Sequence, residues 1–305
     1  MDIFLPIAQM DVNILLLVGM GGGVGLLSGL FGVGGGFLLT PLLMFIGIPP
    51  TIAAASGAAA IVAGATAGTL EHSRAHTVDY KMAVMLFLGG ALGSYGGVDI
   101  LVWLRSLGPA NVVIRVLYAT LLAAMGVPIL VESVQTWRRG AYMSERRFQP
   151  IKKLTWVDSV PFKMQFPRSE VLVSFLIPLA IGLVGGLLAA LMGVGGGFIL
   201  VPLMLYVLRM RMHCVAGTSL FQLMLTCMLV TLLQAVENHT VDSLLAFLLA
   251  LGSTGGAIVG TRFGRRLRAD QLKILLAVLI ICVDIQVCLE LVQRPSVLLS
   301  HIVGN

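Results

Sequence analysis

Apolar runs of about 17–25 residues recur from one end of this chain to the other, and a run of that length is what a helix needs to cross a hydrocarbon core. No other feature restricts the fold as much. Inside a bilayer the backbone finds no water, so each span must satisfy its own N–H and C=O groups. Composition agrees: 58% of the 305 residues are hydrophobic and 11% are charged, where a soluble domain is usually about a quarter charged. The chain is predicted to be an all-α polytopic membrane protein with the lipid bilayer as its surroundings. Its formal net charge of +6 is gathered in a few loops. In a membrane protein such loops report orientation, so no nucleic-acid partner is inferred.

The runs form two copies of one pattern. FGVGGGF at Phe31–Phe37 returns as MGVGGGF at Met192–Phe198, and Pro41 returns at the same offset as Pro202. Two residues are then inserted in the second copy. Beyond them IAAAS (Ile52–Ser56) lies over VAGTS (Val215–Ser219), and HTVD (His76–Asp79) over HTVD (His239–Asp242). Gly89, Gly93 and Gly97 lie over Gly252, Gly256 and Gly260. Landmarks repeated in the same order identify an internal duplication. The expected organisation is repeat 1 over residues 1–131, a basic linker over 132–170 and repeat 2 over 171–305.

Each repeat reads as a Gly-interrupted segment (about 13–47 and 172–209) followed by three helices. These cover about 53–70, 82–100 and 112–131 in repeat 1, and about 215–235, 243–262 and 273–292 in repeat 2. The stretch Trp137–Arg168 is rich in Arg and Lys, and the positive-inside rule puts it in the cytoplasm beside anionic headgroups. Loop 262–273, with Arg262, Arg265, Arg266, Arg268 and Lys273, also belongs inside; loop 236–242, without Lys or Arg, belongs outside. Both placements hold only if each Gly-interrupted segment returns to the side it entered from. Each is then a hairpin, the first HTVD lies inside and the second outside, and the repeats are inverted. The N-terminus has no Lys or Arg before the first apolar run, so no signal peptide is expected.

The glycine runs sit at the hairpin turns. From Gly34 to the end of the second arm near Ile46 there is about 18 Å of helix, against a hydrocarbon core of about 30 Å. A re-entrant hairpin with its tip near the midplane is expected, and two inverted hairpins bring their tips together. Glycine there permits φ > 0 and close approach of a ligand. Each tip opens a half-helix whose free N–H groups and positive dipole end favour an anion. The candidate substrate site is therefore the backbone of Gly34, Gly35 and Gly36 with that of Gly195, Gly196 and Gly197. The evenly spaced glycines of the GxxxGxxxG series read instead as a helix-packing face.

Polar residues near the hairpins extend this list. Ser56, Thr218 and Ser219 begin the helices that follow, where a hydroxyl caps a helix start or holds an oxyanion. Gln222, one turn after Thr218, donates to an anion or bridges helices. Asp284 follows ten apolar residues and is the candidate for proton coupling, or for a bond to a neighbouring helix. Aligning Arg115 on Lys273 gives Asp284 the counterpart Gly126 and pairs Glu132 with Glu290 near helix ends. The two HTVD sequences read as helix starts with Asp as the cap.

Several chemistries are excluded. Gly32-Val33-Gly34 begins like a dinucleotide fingerprint, but Phe37 stands at its third glycine and no βαβ unit surrounds it. GLLSG (Gly25–Gly29) resembles a hydrolase turn, yet the copy has Ala189 where Ser28 stands. Cys214, Cys227, Cys282 and Cys288 form no CxxC pair and read as packing residues. No metal, cofactor or ATP motif is expected, and the chain does not read as an enzyme.

The double motif carries a resemblance. GLLSGLFGVGGGFLLTPLL (Gly25–Leu43) and GLLAALMGVGGGFILVPLM (Gly186–Met204), each followed by a small-residue helix start and later by GxxxGxxxG, resemble the TauE/SafE family of sulfite exporters and anion permeases. The resemblance covers nearly the whole chain apart from the linker and termini. It implies an exporter of a small sulfur-containing anion, such as sulfite or an organosulfonate, in the bacterial inner (cytoplasmic) membrane. Alternating access around the paired tips is the implied mechanism; an anion channel with the tips as its constriction is the alternative. Substrate, direction and coupling ion are left open, and a homo-oligomer fits as well as a monomer. One departure stands out: AAAS in the first half lacks the threonine of AGTS in the second.

Overall fold

The computed structural model of the chain describes residues 2–107, 112–124, 126, 163–166, 168–169, 171–193, 195–264, 278, 280–287 and 289. The expectations for the linker up to residue 162, for Glu132, Glu290 and Cys288, and for the basic loop beyond Gly264 lie outside them. Repeat 1 runs β1 (Asp2–Leu5), β2 (Met10–Asn13), α1 (Ile14–Phe31), α2 (Gly36–Ile46), α3 (Pro50–Arg74), α4 (Tyr80–Ser106) and α5 (Val112–Ala124). Repeat 2 runs β3 (Lys163–Phe166), β4 (Val171–Ser174), α6 (Leu176–Met192), α7 (Gly197–Tyr206), α8 (Met212–Leu233) with a π-turn at Gln234–Asn238, α9 (Ser243–Gly264) and α10, a helical segment over 280–287. Among the described residues five helices are long and apolar enough to cross a membrane: α1, α3, α4, α8 with its π-turn, and α9. The chain is a mostly helical, multi-pass membrane protein.

The all-α expectation needs one amendment. Each repeat opens with a two-stranded antiparallel hairpin, Asp2↔Asn13 to Leu5↔Met10 and Lys163↔Ser174 to Phe166↔Val171. Both share the offset of 161 that relates the glycine motifs, so the structural correspondence begins at Lys163, within the stretch read as linker. A four-residue strand carries too little periodicity to stand out beside an apolar helix.

Local chemistry sets the helix ends. The Asn13 side chain accepts from Leu15 N at 3.0 Å to cap α1, and α1 stops where Gly32 turns left-handed and its N–H reaches Ser28 O. Pro50 opens α3, at a position where the missing N–H costs nothing. The Ala, Gly and Ser content of α3 makes it the least apolar of the five spans and also the most buried. Small side chains admit neighbouring helices closely and leave no room for lipid.

The packing is reciprocal. α1 lies along α9 and α4 along α6, so the first hairpin arm of each repeat rests on the GxxxGxxxG helix of the other. α3 and α8 pack on each other, with α3 also against α9 and α8 also against α4. A Cβ on Gly89 or Gly93 would run into the carbonyl oxygen of Leu179 or Leu183. On Gly252, Gly256 or Gly260 it would meet that of Val18, Gly22 or Leu26. These glycines do serve packing: backbone touches backbone along both interfaces.

The β-hairpins dock in the same crosswise manner. The β1–β2 turn donates Ile7 N and Ala8 N to Asp242 Oδ2, at 3.0 and 3.4 Å. The β3–β4 turn donates Ser169 N and its hydroxyl to Asp79 Oδ2, at 3.0 and 2.5 Å. Each repeat thus covers the HTVD turn of the other. At the helix ends Arg262 pairs with Glu71 at 3.2 Å, and Arg105 donates to Asn238 Oδ1 at 3.1 Å.

Candidate functional site at the paired glycine tips

Each hairpin turn is built from three left-handed glycines. Gly32, Gly34 and Gly35 have φ of 70°, 84° and 65°; Gly193, Gly195 and Gly196 have 68°, 73° and 72°. Any other residue pays a steric cost at such angles. Space is short as well: a Cβ on Gly32 would press into the backbone of Ala216, and one on Gly193 into that of Ala54. Each tip therefore rests on the first turns of the central helix of the other repeat.

The two tips meet. A Cβ on Gly197 would strike the carbonyl oxygen of Val33, and the Phe37 and Phe198 rings lie 6.1 Å apart between centroids, tilted by 31°. The Leu223 side chain of α8 wedges against Gly34, Gly195 and Gly197. Past the turns, Gly35 O accepts from Leu38 N and Leu39 N at 3.0 and 3.1 Å; Gly196 O accepts from Ile199 N and Leu200 N at 3.1 and 3.0 Å. The N–H groups of Gly34, Gly35 and Gly36, and of Gly195, Gly196 and Gly197, find no acceptor among the described residues. All six glycines are buried. Orphan donors of this kind, gathered at two half-helix starts, are chemically suited to an anion.

The other candidate residues divide into two groups. Ser219 belongs with the tips: its hydroxyl donates toward Gly32 O at 2.6 Å, with Ala216 O at 3.0 Å. Gln222 sits one residue from the Leu223 wedge. Its Nε2 donates to Thr226 Oγ1 at 2.8 Å, and its buried Oε1 has no partner among the described residues. Ser56 and Thr218 stand apart from the tips in their bonding: Ser56 Oγ accepts from Asp242 N at 2.9 Å and Thr218 Oγ1 from Asp79 N at 3.0 Å. Asp284 is half-buried on α10 and has an interaction partner. Among the described residues no three His, Cys, Asp or Glu side chains gather as a metal site.

These bonds also reset the register of the repeat. Ser56 does for Asp242 what Thr218 does for Asp79, so Ser56 corresponds to Thr218 and not to Ser219. The offset along α3 and α8 is 162, one less than the sequence alignment assigns. The threonine absent from AAAS is matched by a serine, and the residue without a hydroxyl counterpart is Ser219, opposite Gly57. An Ala-rich run offers no distinctive side chain with which to place a gap.

Asp79 and Asp242 are more than helix caps. Asp79 Oδ1 accepts from Met82 N at 3.2 Å, and Asp242 Oδ1 accepts from Leu244 N and Leu245 N, both at 3.2 Å. The second oxygen of each holds the β-turn of the other repeat. The repetition of HTVD was the one signal of this in the sequence. Tyr118, also unmarked there, buries its ring and donates to Met192 O at 2.8 Å, just before the second tip.

The described helices make a multi-pass membrane protein, and the proteins it is similar to are named membrane transporters. The model of the sulfite exporter TauE/SafE family matches residues 15–287, and the chain is a member of that family. Similar proteins include the probable membrane transporter protein YunE of Bacillus subtilis (strain 168), 24% identical over 295 residues, covering 92% of this chain and 98% of the relative. The probable membrane transporter protein YjnA of the same organism is 27% identical over 277 residues, covering 89% and 97%. A probable membrane transporter protein of Xylella fastidiosa (strain 9a5c) is 27% identical over 261 residues, covering 85% and 88%. No solved structure matches the chain.

Proposed function

We propose that the protein exports a small sulfur-containing anion, sulfite or an organosulfonate, across the bacterial cytoplasmic membrane. Two inverted repeats alternate access to one site near the midplane, formed by the backbone N–H groups of Gly34 to Gly36 and Gly195 to Gly197. The observation that carries this reading is the meeting of two glycine turns whose buried N–H groups have no protein acceptor. Ser219 and Gln222 border the site. Ser56 and Thr218 support it from behind, by holding the turns that brace each central helix.

Support for inversion comes from the ends of the spans. Asp79 precedes the 27-residue α4 and Arg105 closes it, about 40 Å further along the axis. Arg105 bonds Asn238, close in sequence to Asp242. At the other end, α9 starts after Asp242 and finishes with Arg262 on Glu71, near the first HTVD. The two HTVD turns thus stand about one helix length apart, as inversion requires. Support for re-entrance comes from α2 and α7, with 11 and 10 residues, about half of what a core of about 30 Å demands.

Among the described residues the atoms nearest the tip glycines belong to no basic side chain, which favours release of the anion over tight retention. A membrane potential negative inside assists export by about 2.3 kcal/mol per charge per 100 mV. The relatives named membrane transporters favour a carrier over a channel. The test is a flux panel in proteoliposomes with sulfite, sulfate, thiosulfate and alkyl sulfonates. Saturable transport of at least one is expected; indifference to all of them would sink the sulfur-anion reading.

A further inference from the structure

The two repeats differ beside their tips. In repeat 1 a small cavity lies against Gly34, bordered by Ser28 of α1, Ala60 and Gly64 of α3, and Ser253 of α9. It measures about 10 Å³ to the centre of a water-sized sphere, room for one oxygen-sized atom. With the offsets found above, the matching positions in repeat 2 are Ala189 for Ser28, Gln222 for Ala60, Thr226 for Gly64 and Gly90 for Ser253. There larger side chains stand in place of Ala60 and Gly64. The Gln222 amide bonds Thr226, and the pair closes on Gly90, where a Cβ would stand 3.3 Å from Gln222 Nε2 and 3.1 Å from Thr226 Oγ1. The same contact recurs in repeat 1 with sizes exchanged: a Cβ on Gly64 would stand 3.3 Å from Ser253 Oγ.

The hydroxyls around the cavity are not equivalent. Ser253 Oγ is engaged with Ala60 O and Ala250 O, each at 3.1 Å. Ser28 is 3% exposed, lines the cavity, and its hydroxyl has no hydrogen-bond partner among the described residues. In repeat 2 the chain carries Ala189 at the matching position.

We propose that Ser28 and this cavity form a subsite for one oxygen of the transported oxyanion. The substrate is then held off-centre, against repeat 1, with Gln222 and Thr226 closing the matching position in repeat 2. The Ser28 hydroxyl donates to the anion, and the unbonded N–H groups of the adjoining Gly34 turn add donors beside it. A space for one oxygen-sized atom suits one S–O oxygen of sulfite or of an organosulfonate head group. This rests on the transport reading above.

The test compares variants of the full-length protein in proteoliposomes by the concentration dependence of sulfite flux. Ser28→Ala is mild, because the fold already carries Ala at the equivalent position. It is expected to raise KM about 10- to 100-fold, the effect of losing one hydrogen bond to a charged group, with Vmax nearly unchanged. Gly64→Ala, which puts a methyl into the cavity, is expected to raise KM likewise. Ala189→Ser is expected to leave it at the wild-type value. A wild-type KM in Ser28→Ala overturns the subsite and leaves transport standing, and if the thermal midpoint falls at the same time, the cavity holds only a structural water. Absence of flux for every sulfur anion in the wild-type protein overturns both.

Discussion

Replacing either of two glycines on α4 by alanine should move stability in opposite directions. Gly93 and Gly96 share a helix and are three residues apart. Alanine favours the helix over glycine by about 0.8–1.0 kcal/mol at either position. At Gly96 a Cβ meets nothing within 4 Å, so the gain stands alone. At Gly93 it would overlap the Leu183 carbonyl oxygen and lie 2.8 Å from Leu187 N and 2.9 Å from Leu183 C. All of these are backbone atoms, and none can rotate away as a side chain would. α4 and α6 must separate, and the neighbouring contacts at Gly89 and Gly97 loosen with them. Overpacking in a tight interior costs about 1–3 kcal/mol, and a backbone-to-backbone clash belongs at the upper end. Subtracting the helix gain leaves Gly93→Ala destabilising by about 2 kcal/mol and Gly96→Ala stabilising by up to about 1 kcal/mol. Thermal midpoints of the purified protein in one detergent, followed by monodispersity or tryptophan fluorescence, measure the difference. Equal shifts for the two variants would refute the close contact of α4 with α6. Gly256→Ala and Gly255→Ala on α9 repeat the comparison, because Gly256 abuts Gly22 O and Gly255 faces open space.

Thr218→Val removes the acceptor for the buried N–H of Asp79 with little change of shape, and Ser56→Ala does the same for Asp242; each should cost about 1–3 kcal/mol in a thermal melt. Asp79→Asn and Asp242→Asn turn an amide NH₂ toward donors at one oxygen, so each weakens the hold on one β-turn; if these turns act at opposite faces, labelling of engineered cysteines should shift toward opposite sides of the membrane, and a same-side shift refutes the pairing. Gly35→Leu and Gly196→Leu force left-handed positions and strike Val24 and the Gly185 backbone, so transport should be lost; normal flux in both would remove the tips from the mechanism. A reporter fused after Glu237 should be extracytoplasmic and one fused after Arg74 cytoplasmic, and a shared side for both would break the inverted arrangement.

Much of the architecture was legible because its causes are local. The long spans appear within a few residues of the apolar runs, and the helices break at both glycine runs. α4 begins just after Asp79, the cap that HTVD announces. The fourth helices were also marked by their apolar runs, and α5 and α10 occupy part of the ranges expected. The β-hairpins were not legible, nor was the one-residue register along α3 and α8. The glycine turns were legible in the sequence and their surroundings were not. A carboxylate that caps its own helix is visible in four residues of sequence, but the Ser169 that binds the other oxygen of Asp79 lies 90 residues away.

By itself the sequence determined that the chain is mostly helical, crosses a membrane several times, carries one motif twice, and breaks two helices at glycine. Chain length, hydropathy, steric freedom and the repeat itself act along the chain and can be read there. Tertiary structure alone decided that each hairpin packs on the other repeat, and that the tips touch at Val33 and Gly197. It also decided that a small cavity lies beside Gly34 and that Gln222 bonds Thr226 at the matching place in repeat 2. Those outcomes depend on which surfaces from distant parts of the chain come within a few ångströms, and a linear pattern does not carry that distance.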